Sequence, residues 1–319
     1  MRVGICRRPV RRAGPSIWRK IMKVFDLHAA GLAVLLSAVF SAGAAFAAEN
    51  PSSERGPQIQ AARETGDKTD AEKNAQSPSD AELLGKIKRI EPPEDGFFSK
   101  ELDCCGIPIK AHEVVDDMAL VEAWRRIERQ LRNQPKLIRR LNSHGSELQI
   151  IGKDQANTDL PEFRHLKGKP YDGDLTMDER CRGVGGLNAS CGEENLLKLK
   201  EDRYFGRDIC SHEFTHTMHM FGSSQKVQRL IHSVYMKSTR EKGLWKGAYA
   251  GSNEFEYIAE MTMWYFGTVG DCGGFEKKPE SGPEWLKQYD PDGYKLIDDF
   301  YSGRLEPLQD DEPEYGEKE

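Results

Sequence analysis

The stretch from Cys210 to Gly222, CSHEFTHTMHMFG, constrains this chain more than any other. Within it His212, Glu213 and His216 form H-E-x-x-H. Residues four apart on a helix sit one turn above each other, so both imidazoles face one side. Two such nitrogens can grip one zinc ion, and a carboxylate directly after the first ligand lies beside the metal as a general base. The motif therefore demands a helix, started by Asp208 or Ser211, running through Met220 and stopped by Gly222. A catalytic zinc needs three protein ligands and one open position. His219 follows His216 by three residues on nearly the same face, and a straight helix cannot wrap three imidazoles around one ion. His219 is thus expected in support of the ligands, in a cleft wall or simply packed. The metzincin pattern places Gly at position 219 and a third His at 222; this chain has His219 and Gly222, which excludes that class.

The third ligand must come from elsewhere. Residues 248–267, AYAGSNEFEYIAEMTMWYFG, predict a helix capped by Asn253, with Phe255, Ile258, Ala259, Thr262 and Met263 facing the core. Glu254, Glu256 and Glu260 are its candidates. The segment from Tyr249 to Glu260, with Tyr249 seven residues before Glu256, resembles the second metal-site segment of the anthrax lethal factor family of zinc endopeptidases. Those gluzincins combine H-E-F-x-H with a Tyr seven residues ahead of the ligand Glu, and Phe214 matches the motif's Phe. The G-E-E-N-L-L segment at 192–197 is similar to that of secreted bacterial proteins bearing such a motif. The resemblance covers about residues 180–267.

It implies an α+β, zincin-like (gluzincin) metallopeptidase domain with a small mixed sheet, an active-site helix and a mainly helical C-terminal part. It also implies one Zn²⁺ per chain held by His212, His216 and Glu256. Glu213 would take the proton from water attacking a peptide carbonyl, and Tyr249 would donate to the developing oxyanion. Glu260, one turn beyond Glu256, would fix the tautomer of a ligand imidazole. The implied partner is a protein or peptide substrate and the expected state a monomer. Two other readings use the same residues: a secreted binding protein whose zinc is structural, with His219 as fourth ligand, and an amidase of cell-wall peptides.

The first 47 residues read as a leader. Eight Lys/Arg fall between Arg2 and Lys23, then an Ala-rich apolar run ends at Ala45-Phe46-Ala47. Met22 would begin a leader of more ordinary length, and an uncleaved anchor is the competing reading. With 46 basic and 52 acidic residues in all, and eight basic plus Asp26 in the leader, 38 face 51 afterwards, a net of −13. So acidic a chain is a poor partner for nucleic acid or for an anionic membrane once the leader is gone. It is expected to be exported, secreted or periplasmic. Residues 48–80 carry no Val, Leu, Phe, Trp or Tyr after Ala48 and read as a disordered linker. The folded domain spans 81–304, and 305–319 reads as an acidic, solvated tail.

Six cysteines remain beyond Cys6: Cys104, Cys105, Cys181, Cys191, Cys210 and Cys272. In an exported chain they suggest up to three disulfides. Cys181 with Cys191 is the favoured pair, leaving Cys104 and Cys105 to reach Cys210 and Cys272. Strands are expected at 107–111, 147–152 and 195–200, the last as an edge for extended substrate. Helices are expected from Asp116 or Asp117 towards Leu131, at 136–141, at 229–242 and at 283–300. Gly183, Gly185 and Gly186 read as turn or close-approach glycines, since their spacing makes no phosphate fingerprint.

Overall fold

A computed structural model describes residues 77–273, 275 and 282–309. The leader, most of the linker, Cys6 and the tail beyond 309 lie outside the described residues. The chain is α+β. A five-stranded mixed sheet has the order β1 (Lys88–Glu94), β2 (Phe98–Cys104), β3 (Ile107–Ala111), β4 (Glu147–Ile151), β5 (Asn188–Gly192). The first three strands form an antiparallel meander; β3, β4 and β5 run parallel. Parallel neighbours need crossovers. Helices α1 (Asp117–Leu131) and α2 (Pro135–His144) supply the first, and the long segment 152–187 the second.

Each sheet face is covered. Ile107, Ile109, Ala111, Leu148, Ile150, Ala189 and Cys191 join α1 and the later helices in the main core. On the other face Phe98 and Ile151 pack with Leu160, Phe163, Met177 and Val184 from the crossover. Asp116 caps α1, accepting from Met118 N at 2.8 Å. Of the expected α1 stripe, Val121, Ile127 and Leu131 are buried, whereas Met118 and Trp124 are half-buried. Trp124 instead spends its indole N–H on Asp103 O.

The remaining helices stack against this core: α3 (Ile209–Thr217) with a π turn at Met218–Gly222, α4 (Gln225–Met236), α5 (Glu254–Tyr265), α6 (Pro283–Tyr289) and α7 (Pro291–Tyr301). Gly222 is a packing glycine; a Cβ there would stand 2.6 Å from Leu137 Cγ. The single helix expected at 283–300 is two. Pro291 lacks an N–H and pushes the preceding Asp290 out of helical backbone, to φ −131° and ψ 79°. The released Asp290 is fully buried. Its carboxylate accepts from Ser238 Oγ, Gly293 N, Trp245 Nε1 and Tyr257 Oη at 2.6–3.0 Å.

Two further expectations are corrected. Residues 195–200 are not a strand. Glu193–Leu196 is one helical turn, because Asn195 Oδ1 accepts from Ile209 N and its amide donates to Arg207 O, while Arg126 takes Leu196 O. The strand ahead of α3 is β5. Nor do the cysteines pair as expected. Cys104, Cys105, Cys181, Cys191 and Cys210 carry free thiols, and Cys272 Sγ donates to Gly270 O. Cys181 stays at the end of its own helical turn, donating to Met177 O, while Cys191 meets Cys210. Ser79 caps the helical turn Asp80–Leu84, and past residue 304 Leu305 is buried and Glu306 accepts from Lys136 N. Among the described residues no helix is long and apolar enough to cross a membrane.

Within the 152–187 crossover Glu162 sits between Asn188 and Glu147. Burial pushes its carboxyl from 4.5 up to about 7, the charge of Glu147 adds to this and Asn188 opposes it. The folded state therefore holds a proton that the unfolded state releases, and this contribution to stability is full below about pH 4.5 and lost as pH rises to about 7. Glu162→Gln is expected to flatten the decline in urea midpoint across that window. An unchanged slope in the variant would show that Glu162 is not the titrating group.

Candidate metal centre

Helix α3 begins where Asp208 places it. This buried carboxylate accepts from Ser211 N at 3.1 Å and Ser211 Oγ at 2.7 Å, and pairs with Arg126 Nε at 3.1 Å and Arg129 Nη2 at 2.6 Å. Burial alone would raise its pKa; the two guanidiniums overcome that and lower it. The charge is thereby fixed at the positive end of the helix, where it stabilises the helix dipole.

One turn in, His212 and His216 are both buried, their rings 83° apart in plane. Helix α5 crosses them. Asn253 caps it, accepting from both Phe255 N and Glu256 N, and this sets the height at which Glu256 meets α3. His212 Nε2 lies 3.1 Å from Glu256 Oε2 and 3.2 Å from His216 Nε2, and His216 Nε2 lies 3.5 Å from the same carboxylate oxygen. Three donor atoms thus form a triangle with edges of 3.1–3.5 Å. Ligands held about 2.0–2.1 Å from a tetrahedral zinc stand roughly 3.3 Å apart. The donor set, two imidazoles and one carboxylate, suits zinc. Its electrostatics suit a positive charge as well. Burial disfavours charge on His212, yet Glu256 and Glu260 hold a proton there up to about 10; burial would raise Glu256, yet His216 and His212 hold it well below the carboxylate range. A positive charge belongs among these atoms.

Glu260, fully buried, backs the far side of His212. Its Oε1 approaches Nδ1 to 3.3 Å, an ion-pair approach rather than an aligned hydrogen bond. Arg207 Nη2 holds the same oxygen at 3.1 Å, and the other oxygen accepts from Asp271 N. Asp271 in turn accepts from Tyr249 N at 3.1 Å. One chain of contacts therefore runs from His212 through Glu260 and Asp271 to Tyr249, whose ring lies parallel to His212 at 6.1 Å. Burial, then the charges of Glu256 and Glu213, raise the Tyr249 phenol far above its ordinary value, so it remains a proton donor. Glu213 is half-buried, with a carboxylate oxygen within 4.8 Å of ligand nitrogens of both histidines. Burial raises its pKa, against the pull of the imidazoles.

The glycines are close-approach glycines. A Cβ on Gly185 would stand 2.6 Å from His216 Cβ, and one on Gly183 3.0 Å from Glu213 Cγ. Gly186 O accepts from Thr217 Oγ1 at 2.6 Å. Of the remaining candidates, Glu254 turns away to His232, 3.4 Å distant. His219 is buried with its ring on Phe255 at 4.9 Å; burial, helped by His216, lowers its pKa to about 3, so it is neutral. Arg207 and Asp271 were not legible as site residues, being 53 and 11 positions from Glu260 with no motif between. Arg180, held by Asp172 at 2.9 Å, and Tyr171 add charge and a phenol near Tyr249 and Glu213 respectively.

No protein family profile and no curated protein matches this chain. Among solved structures, the Pro-Pro endopeptidase of Paenibacillus alvei is similar with a TM-score of 0.38 and 18% identity, over 57% of this chain and 90% of that one. That likeness is too distant to carry a functional argument.

Glu260→Gln keeps the shape of the carboxylate but removes the charge facing His212. Zinc affinity, measured by chelator competition, is expected to fall about 10- to 100-fold with the fold retained. An affinity equal to wild type would remove Glu260 from the centre.

Proposed function

We propose that this chain is an exported zinc endopeptidase of the gluzincin type. The observation that carries the reading is the triangle of His212 Nε2, His216 Nε2 and Glu256 Oε2, three buried donors at the spacing of zinc ligands. Zinc at that position would supply a Lewis acid for water and for the scissile carbonyl. The chain's own groups account for the rest. Glu213 takes the proton from the attacking water and passes it to the leaving amine. Its burial suits this, since a carboxylate with a raised pKa holds a proton better than a solvated one. Tyr249 donates its hydroxyl to the oxyanion that forms on the carbonyl carbon. Glu260 keeps the His212 ring oriented with Nε2 towards the centre.

Extended substrate needs an exposed backbone edge. On β5 that edge is taken at Ser190, which exchanges two hydrogen bonds with Val184 at 2.8 and 3.2 Å. The backbone next outward is the Gly183–Gly186 segment, in contact with Glu213 and His216. We assign substrate docking to it, by strand addition. A purely structural zinc needs neither a half-open carboxylate at position 213 nor a buried phenol at 249.

Metal analysis and peptide-library cleavage on wild type and Glu213→Gln test the reading together. One zinc is expected in both, with hydrolysis only by the wild type. Zinc in both without cleavage by either would favour a structural metal, and absence of zinc would end the proposal. Tyr249→Phe is expected to lower kcat about 10²-fold at nearly constant KM, as for loss of one oxyanion donor. A change confined to KM would make Tyr249 a substrate-binding wall instead.

A further inference from the structure

The turn joining β2 to β3 holds two adjacent cysteines in an unusual setting. Cys104 pairs with Ile107 as the last rung, so Cys105 and Gly106 form a two-residue hairpin loop. Their φ values are +59° and +84°. Such turns favour Asn-Gly or Asp-Gly, because both central residues sit in the left-handed region. A cysteine there lacks the compensating side-chain hydrogen bonds of Asn and is strained. Three contacts hold the conformation in place. Gly106 N donates to Asp103 Oδ1 at 3.2 Å, Asn142 Nδ2 donates to Cys105 O at 3.1 Å, and Trp124 Nε1 donates to Asp103 O at 3.0 Å. A strained residue retained by its surroundings is a pointer to function.

The two thiols differ in access. Cys104 is fully buried under α1, its sulfur 3.9 Å from Trp124 O, whereas Cys105 is exposed. They are consecutive in the chain, so each thiol shifts the other's proton affinity. The neighbouring Cys104 thiol lowers Cys105 to about 7, against burial and the charges of Glu128 and Asp103, while Cys105 and burial raise Cys104 far above the ordinary thiol range. An exposed thiol half ionised at neutral pH is a nucleophile. The other neighbouring cysteines, Cys191 and Cys210, are both fully buried and have no such access. None of β2, β3 and their turn supplies a residue to the metal centre.

We propose that Cys104 and Cys105 are a thiol–disulfide exchange site, independent of the metal centre, whose co-reactant is a low-molecular-weight disulfide. The Cys105 thiolate attacks one sulfur of that disulfide, an S–S bond forms to Cys105 and one small thiolate leaves. Cys104 then loses its proton to solvent and attacks the Cys105 sulfur, and the second small thiolate leaves. Two protein thiols are oxidised to one disulfide and one small disulfide is reduced to two thiols. Adjacent Cα atoms are about 3.8 Å apart, closer than the usual 4.4–6.8 Å of bridged pairs, so the product is strained and readily reduced again.

The test uses full-length, zinc-loaded protein equilibrated across ratios of oxidised to reduced glutathione, followed by alkylation and peptide mass analysis. The peptide bearing residues 104 and 105 is expected to lose two hydrogens and refuse the alkylating reagent under oxidising conditions, and to recover both thiols under reducing ones. Cys104→Ser should stop at a glutathione adduct on Cys105. Cys105→Asn, which suits the turn, should remain folded and unreactive. The alkylation rate of Cys105 should rise with a midpoint near pH 7, with about tenfold more thiolate at neutral pH than an ordinary thiol has. A stable glutathione adduct on wild-type Cys105 with Cys104 still alkylatable would overturn the proposal. So would reaction of Cys191 or Cys210 ahead of this pair.

Discussion

One buried carboxylate, Asp208, determines where α3 begins and how it is held. Desolvating an ionised group costs several kcal/mol, and here the cost is met by two guanidiniums and two Ser211 donors. Arg126 extends the tie. Its Nη2 reaches Leu196 O, joining α1 to the turn that follows β5, while Asn195 in that turn accepts from the first residue of α3. The edge strand, the crossover helix and the metal helix thus converge on one ion-pair cluster. His212, four residues on, inherits its position from it.

The centre itself is a problem of charge. Glu213, Glu256 and Glu260 surround two imidazoles, and Arg207 is the cation paired with Glu260 at 3.1 Å. Buried carboxylates persist only when paired or bound to a metal. The zinc proposed between His212, His216 and Glu256 would resolve this, and would account for the close packing of those three polar atoms. The later helices keep α5 in register for that purpose. Trp264 of α5 packs on Trp285 at 4.4 Å, and Asp290 gathers Tyr257 of α5, Trp245 and Ser238 into one buried network. Because these groups have no solvent to fall back on, α5 has little freedom to slide along α3.

Local chemistry was legible in the sequence. Asp116 and Asn253 cap their helices because a short side-chain acceptor ahead of an apolar-periodic run has few other uses. The 107–111 and 147–151 strands follow from apolar runs bounded by turns. The reading failed where distant groups outbid local pattern. N-L-L-K-L-K alternates like a strand, but Asn195 and the Leu196 carbonyl are claimed by Ile209, Arg207 and Arg126, which bend it into a helical turn. Pro291 carried its own warning of a break between α6 and α7. The cysteine pairing could not be read at all, since it depends on which elements the sheet makes neighbours.

By itself, the sequence determined the two halves of the site: spacing of four places His212 and His216 on one helix face, and Asn253 sets the start of the helix bearing Glu256 and Glu260. Those are consequences of helical geometry, which acts over a few residues. Only the tertiary structure decided that Glu256 is the carboxylate brought within 3.1–3.5 Å of both imidazoles and that Glu254 faces His232. It also brought Arg207 and Asp271 to Glu260, and β5 rather than residues 195–200 alongside the metal helix. Packing sets these choices: helices that cross once can present only one carboxylate to a given point, and which one depends on every side chain between them.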